Sequence, residues 1–355
     1  MDQIQYGIVG FGGIAENRIA KEGFALDRDR FNHQILPFTL AGATDINKGR
    51  KSAANALGIR WYESVDELLK NPKIDAIYVA TSNSTHFEVA MKALQAKKHV
   101  IIEKPMTVDI NQAKKLVETA EKFDLSICTN LMMTKNVYNR KAKELIRSGV
   151  AGHDLFTTLH MEFLYGKDPA EAQSWRCSRP EELGGPIGDV GAHCLDMGEF
   201  LFDEQIRSLR CTYYPPTLDI AVENGAVISY ILKNGLEGCV RVAFNQPRGG
   251  AVGTLQNLGY EIYGERGVIR GYGTMFQLSG HQDEPAPVRL ELVTDEISKT
   301  YCMADVENIY QAQITEHANS IINNQRMDGR RGLRNILLVL ACYESASNGG
   351  KEVMI

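Results

Sequence analysis

The chain has no Cys-x-x-Cys pair, although it carries 7 cysteines in 355 residues. That odd count and scattered spacing exclude a disulfide framework or a zinc knuckle. Cys128, Cys211 and Cys239 fall in apolar runs that read as core, and this usage fits a reducing cytoplasm. No apolar run approaches the ~20 residues that cross a bilayer. The opening MDQIQYGIVGFG lacks the basic-then-apolar order of a secretion signal. The expectation is a cytoplasmic protein with no membrane partner. An excess of positive charge is missing too: the net charge is −5, which makes nucleic acid and anionic surfaces poor partners. Internal repeats and low-complexity segments are absent. What is present is ordinary for a globular protein, with 44% hydrophobic and 23% charged residues. The length suits about two domains.

The first third alternates strand and helix patterns. QYGIVGFG, FTLAGATD, IDAIYVATS and KHVIIEK are short runs rich in Val, Ile and Ala, as strands buried on both faces require. Ser64-Val65-Asp66-Glu67 is a capping box, and Asp109 with Gln112 opens the next helix. Such alternation predicts a doubly wound parallel sheet over residues 1–130. Beyond it, residues 131–355 carry mostly strand-like runs, a hairpin signal at Lys233-Asn234-Gly235 and two closing helices around IYQAQITEHANSII and LRNILLVLACYESA. The fold class expected is α/β: an N-terminal Rossmann sheet, then an α+β domain with a large, mostly antiparallel open sheet.

Gly10-Phe11-Gly12-Gly13-Ile14-Ala15 is G-x-G-x-x-A directly after the first strand. There the first glycine makes the tight turn, the second lets backbone approach a pyrophosphate, and the small Ala15 lets the helix pack on the sheet. The helix N-terminus offers free N–H groups to phosphate. Alone, such glycines serve equally as a plain turn. Asp45 at the end of the second strand adds an acceptor for both ribose hydroxyls, which favours NAD. It lies 35 residues past Gly10, against the usual ~20, so GFALDRDRFNHQILPF reads as an insertion. Lys48 and Arg50 lie just beyond and leave NADP open.

Glu103-Lys104-Pro105 closes the fourth strand, at the edge where doubly wound sheets bind ligands. The proline keeps Lys104 out of the helical region and suits a cis bond in a tight turn. Further on, GGPIGDVGAHCLD sets Asp189 and His193 four apart, on one face of a helix. This pair can cap a helix, hold a metal or move a proton. The His and Cys spacings of zinc sites are absent, so no metal is expected.

In order along the chain stand G-x-G-x-x-A, then Ala80-Thr81-x-Asn83-x-x-His86, then KHV-x-x-EKP, then GG-x-x-x-D-x-G-x-H-x-x-D. Together they resemble the glucose–fructose oxidoreductase / inositol dehydrogenase / rhizopine catabolism (Gfo/Idh/MocA) family over nearly the whole length. The resemblance implies that Lys104 lies in the cleft beside the nicotinamide and touches the reacting hydroxyl, with Asp189 and His193 facing it from the second domain. It implies that Thr81, Asn83, His86 and Glu103 line the cofactor, and that the open sheet forms a homo-dimer or homo-tetramer. Two departures stand out. Leu131-Met132-Met133-Thr134 falls where many relatives carry an arginine, and Pro186 replaces a glycine.

The chemistry expected is oxidation of a secondary hydroxyl of a sugar, polyol or glycoside. Such a step needs a base within ~3 Å of the hydroxyl whose pKa suits neutral pH. His193 is the expected acid/base, with Lys104 as oxyanion partner or second base and Asp189 orienting the ring or binding a neighbouring hydroxyl. Tyr165, Trp175 and Arg176 are substrate-pocket candidates, Trp175 equally a core residue and Arg176 equally a solvated charge. The Gln246-Pro247-Arg248-Gly249-Gly250 stretch reads as a lid or a plain hairpin tip. The same motifs also admit a redox-assisted glycoside hydrolase, which oxidises, eliminates and re-reduces. A dinucleotide-binding sensor without catalysis is disfavoured, because Lys104, Asp189 and His193 are all present.

Overall fold

The computed structural model describes residues 3–27, 29, 31, 35–246, 257–279, 288–303 and 306–355. Pro247 to Gly250 of the lid expectation, and 28, 30 and 32–34 of the insertion, lie outside the described residues. The chain divides into two compact units: Met1–Met132 with Glu307–Ile336, and Met133–Val306 with Leu337–Ile355.

The first unit is built on six parallel strands: β1 (Ile4–Val9), β2 (Phe38–Thr44), β3 (Arg60–Trp61), β4 (Ala76–Val79), β5 (His99–Ile102) and β6 (Ile127–Thr129). Their spatial order is β3-β2-β1-β4-β5-β6, the doubly wound arrangement. Ile8, Ile77, Val79, Val100 and Ile101 are fully enclosed, which is why these runs are apolar without alternation. The helix caps form as the spacing predicts. Ser64 Oγ accepts the N–H of Glu67 at 3.1 Å, and Asp109 accepts those of Asn111 and Gln112 at 2.9 Å. Each such cap stabilises its helix by about 1 kcal/mol.

The helix Ile309–Ile322 belongs to this unit. Tyr6 on β1 hydrogen-bonds His317 Nδ1 at 2.7 Å, and Ser126 Oγ meets Ser320 Oγ at 2.7 Å. Ile314 and Tyr310 pack against Gly23, where a side chain would collide with Ile314. This helix is therefore locked to the sheet by a buried polar network as well as by apolar contact.

The second unit holds nine strands: β7 (Asp154–Glu162), β8 (Ile206–Tyr213), β9 (Gly225–Leu232), β10 (Glu237–Ala243), β11 (Leu258–Gly264), β12 (Gly267–Tyr272), β13 (Arg289–Thr294), β14 (Ser298–Tyr301) and β15 (Val353–Met354). They run β14-β13-β12-β11-β7-β10-β9-β8-β15, all antiparallel except the β7–β10 pair. Gly235, with φ +94°, turns β9 into β10 as the Lys-Asn-Gly signal predicts. The helices Val137–Arg147 and Ala192–Phe202 belong to this unit.

Candidate functional site

In the first unit, the residues of interest line the carboxyl ends of the parallel strands. The N–H of Gly10 bonds Thr44 O, that of Ala80 bonds Val9 O, that of Glu103 bonds Val79 O and that of Asn130 bonds Ile102 O, at 2.8–2.9 Å. The strand ends are thus stitched in one row. Gly10 sits at φ +90°, and a Cβ there would lie 2.5 Å from Ala80 O, so only glycine fits. At Gly12 and Gly13 an added Cβ would meet nothing within 4 Å, which leaves their backbone open to a ligand. The helix that follows, Ala15–Gly23, winds as a π-helix rather than the α-helix the pattern suggests. Phe11 is fully buried, so its side chain belongs to the core and only its backbone faces the turn. Ile14 is partly exposed.

Asp45 follows β2 beside Gly10, and its Oδ1 accepts the N–H of Asn47 at 2.7 Å. The two cations that left NADP open are both engaged by acids. Arg50 pairs with Glu16 and donates to Phe11 O at 2.8 Å. Lys48 bonds Glu63 O and lies 3.8 Å from the Glu63 carboxylate. Lys21 also binds Glu16 at 2.8 Å, and these partners hold the Glu16 carboxyl below its usual range, the Lys21 hydrogen bond contributing most.

The Thr81–His86 and Glu103–Pro105 motifs are joined through one ring. His86, fully buried, reaches Pro105 O with Nδ1 at 2.8 Å and Thr81 O with Nε2 at 3.2 Å. Asn83 is buried beside them. The Lys104–Pro105 bond is cis. Glu103 Oε1 accepts from Tyr78 Oη at 2.7 Å and from Asn130 Nδ2 at 2.8 Å. Burial raises its carboxyl pKa against the pull of those donors.

In the second unit, the glycine run forms a tight turn. A Cβ at Gly184 would come within 3.0 Å of three carbonyl oxygens, and one at Gly188 within 2.0 Å of Leu183 O. Ile187–Gly191 winds as a π-turn before the α-helix Ala192–Phe202 begins. Asp189 therefore sits in the π-turn, not at an N-cap, and His193 sits two residues into the α-helix, 2% exposed. Asp189 Oδ2 is 3.2 Å from Arg176 Nε, and Arg176 lies over the Trp175 ring at 4.6 Å. The Asp189 charge raises the Arg176 pKa, with Tyr165 adding to it. Tyr165 in turn reaches Ser174 Oγ at 3.3 Å. Four residues singled out separately in the sequence, Tyr165, Trp175, Arg176 and Asp189, thus form one cluster, in which Arg176 is not a solvated charge. Among the described residues, no three His, Cys, Asp or Glu side chains group as metal ligands.

Three partners escaped the sequence reading: Glu16, which holds Arg50, and Glu223 with Tyr343, which contact the glycine turn. Nothing in their local pattern marks them.

The fold and the glycine turn define a dinucleotide-binding oxidoreductase. A family model described as "Oxidoreductase family, NAD-binding Rossmann fold" matches residues 4–130, and the "GFO/IDH/MocA C-terminal domain" matches residues 139–270. The chain belongs to the Gfo/Idh/MocA family, and it is a dehydrogenase or reductase that uses NAD(P). It is 25% identical to 1,5-anhydro-D-fructose reductase of Ensifer adhaerens over 81% of each chain. It is 22% identical to myo-inositol 2-dehydrogenase of Thermotoga maritima over 76% of this chain and 73% of that one. Aldose-aldose oxidoreductase from Caulobacter crescentus, solved with glycerol, has the same fold, with a TM-score of 0.82, 20% identity and coverage of 99% and 100%.

Proposed function

We propose that this protein is an NAD-preferring dehydrogenase or reductase acting on a secondary hydroxyl of a sugar, polyol or glycoside. The observation that carries the reading is the Arg176–Asp189 pair in the turn that leads to His193. A carboxylate fixed by a guanidinium, beside an aromatic ring, is what hydroxyl recognition requires. The relatives named for anhydrofructose and inositol chemistry support the substrate class.

Gly12, Gly13 and the N–H groups of the following turn would hold the pyrophosphate, and Asp45 the adenosine ribose. The bound nicotinamide supplies the hydride acceptor or donor. The Glu16–Arg50 and Glu63–Lys48 pairs support NAD over NADP, since a 2′-phosphate finds both cations already neutralised. In the proposed mechanism His193 takes the hydroxyl proton and returns it in the reverse direction. Lys104 donates to the same oxygen and stabilises its developing charge. His86 keeps the Lys104–Pro105 turn in place by bonding the carbonyl beyond it. Asp189 binds a neighbouring hydroxyl. The division into a dinucleotide domain over 1–130 and a substrate and assembly domain over 131–355 is part of this proposal. So is a homo-oligomer, supported by Phe156 and Tyr263, which are exposed and directly opposite each other on β7 and β11.

The test uses purified full-length protein. Released NAD(H) and NADP(H) are assayed after denaturation, and NADH formation by intact enzyme is followed on a panel of sugars, polyols and glycosides. Steady NADH formation on one of them is expected. Retained NAD with aglycone release and no net NADH would replace the reading with redox-assisted hydrolysis. Dinucleotide binding without any turnover would replace it with a sensor. Size-exclusion chromatography with light scattering tests the oligomer.

A further inference from the structure

The turn that leads to Asp189 and His193 is braced by an acid that the reaction does not call for. Glu223 lies just before β9, and its Oε1 accepts the N–H of Ile187 at 2.9 Å. Tyr343, on the helix Arg330–Ser347, donates its hydroxyl to Gly184 O at 3.0 Å and lies 3.4 Å from the same Glu223 oxygen. Between those two positions stands Gly185 at φ +87°. A Cβ there would be 2.5 Å from the Glu223 carboxyl carbon and from both its oxygens. The carboxyl therefore occupies the place a side chain would take. One carbonyl, one missing side chain and one N–H, all within Gly184–Ile187, are each set by Glu223 or Tyr343. Asp189 follows two residues later.

We propose that Glu223, together with Tyr343, is the positioning residue for Asp189 and His193, acting through the Gly184–Ile187 turn. The inference rests on the reading of Asp189 and His193 as the groups that meet substrate. A role in folding alone would need only an acceptor for Ile187. The charge is the additional element. Burial pushes the Glu223 carboxyl up to about 7, against hydrogen bonds from Ile187, its own N–H and Tyr343. The titratable groups facing it are Tyr343 and Cys342 from the helix and Tyr213 at the end of β8. Tyr213 is raised to about 12, and Tyr343 and Cys342 lie well above their usual values, in each case by burial first, with the Glu223 charge adding to it. Cys211 of β8 adjoins Cys342. Near neutral pH those three stay protonated while Glu223 changes charge. An ionised carboxylate is the stronger acceptor for the Ile187 N–H, so protonation loosens the turn.

Glu223→Gln keeps the shape and an oxygen for Ile187 but never ionises. Two readouts are taken on full-length protein. The first is the pH profile of kcat on the substrate found by the panel. The second is the titration of the His193 imidazole by NMR, assigned with His193→Gln, which needs no substrate and so stands even if the functional reading fails. In wild type, the His193 resonance is expected to inflect near pH 7 in step with Glu223. In Glu223→Gln that inflection and the matching fall in kcat are lost, with kcat at high pH within about two-fold of wild type. Exposed His153 titrates identically in both. A His193 titration that superimposes on wild type overturns the proposal, whatever the activity shows. Glu223→Ala, which also removes the acceptor, is expected to lower kcat about ten-fold or more with KM little changed.

Discussion

Arg176 and Asp189 face each other at 3.2 Å across 13 positions of sequence, with Trp175 under the guanidinium. The pair joins the loop Trp175–Ser178 to the π-turn Ile187–Gly191. Removing the cation leaves a partly buried carboxylate without its main counter-charge. Arg176→Gln is expected to lower kcat/KM about 10- to 100-fold, the worth of a hydrogen bond to a charged group. Steady-state kinetics against a melting curve separates this from unfolding, since the melting temperature should move by only a few degrees.

Lys104→Ala and His193→Gln test the proposed proton handling. Each is expected to cost about 10²- to 10⁴-fold in kcat, the range for general acid–base groups. NAD affinity, measured by fluorescence or calorimetry, should stay near wild type in His193→Gln. A His193→Gln enzyme with full turnover would remove His193 from the mechanism.

Cofactor choice is expected to follow the acids around the glycine turn. Asp45→Ala should weaken NAD about ten-fold or more through loss of a charged hydrogen bond. Glu16→Gln releases Arg50 from its partner, so the ratio of NADP to NAD affinity should rise. Binding titrations with both dinucleotides in one buffer measure that ratio. An unchanged ratio in Glu16→Gln would show that Arg50 takes no part in the choice.

Stability is expected to fall in acid because of two buried imidazoles in the first unit. Burial lowers the His317 pKa to about 3, with His99 adding to the shift, and lowers that of His99 to about 4, with Arg326 adding. Unfolded histidine titrates near ~6.5, so as pH falls below that value the unfolded chain binds protons first. The contribution is complete above ~6.5 and is lost progressively toward the folded values. Melting curves at about pH 7.5 and about pH 5 should show the drop, and His317→Gln should be less stable at the higher pH but flatter between the two. Parallel pH dependence in wild type and variant would assign the acid loss to other groups.

Legibility in the sequence followed burial. β1, β2, β4 and β5 are enclosed on both faces and announced themselves as apolar runs, and the Ser64 and Asp109 caps were readable because a cap acts within three residues. β3 has two residues and carries no pattern to read. The π-winding of Ala15–Gly23 and Ile187–Gly191 leaves no mark, since both sequences suit an α-helix equally. Asp189 was visible as a candidate. Its partner Arg176 was visible only as a candidate, because their meeting depends on how the intervening loop folds. Glu223 and Tyr343 are 120 residues apart and meet only through the tertiary fold, which no local spacing records.

The chain's return to its own beginning has a consequence during synthesis. Tyr6, β6 and the segment around Gly23 find their partners in His317, Met327 and Ile314, which the ribosome reaches only near the end of translation. The nucleotide-binding sheet therefore waits, with the flank of β1 and the Gly23 turn uncovered, while about 175 residues of the second unit are made and can fold first. Nascent chains stalled before Glu307 should present that apolar flank to chaperones. The amino-terminal 132 residues, by the same logic, are a module in outline whose last layer is delivered in cis by the far end of the polypeptide.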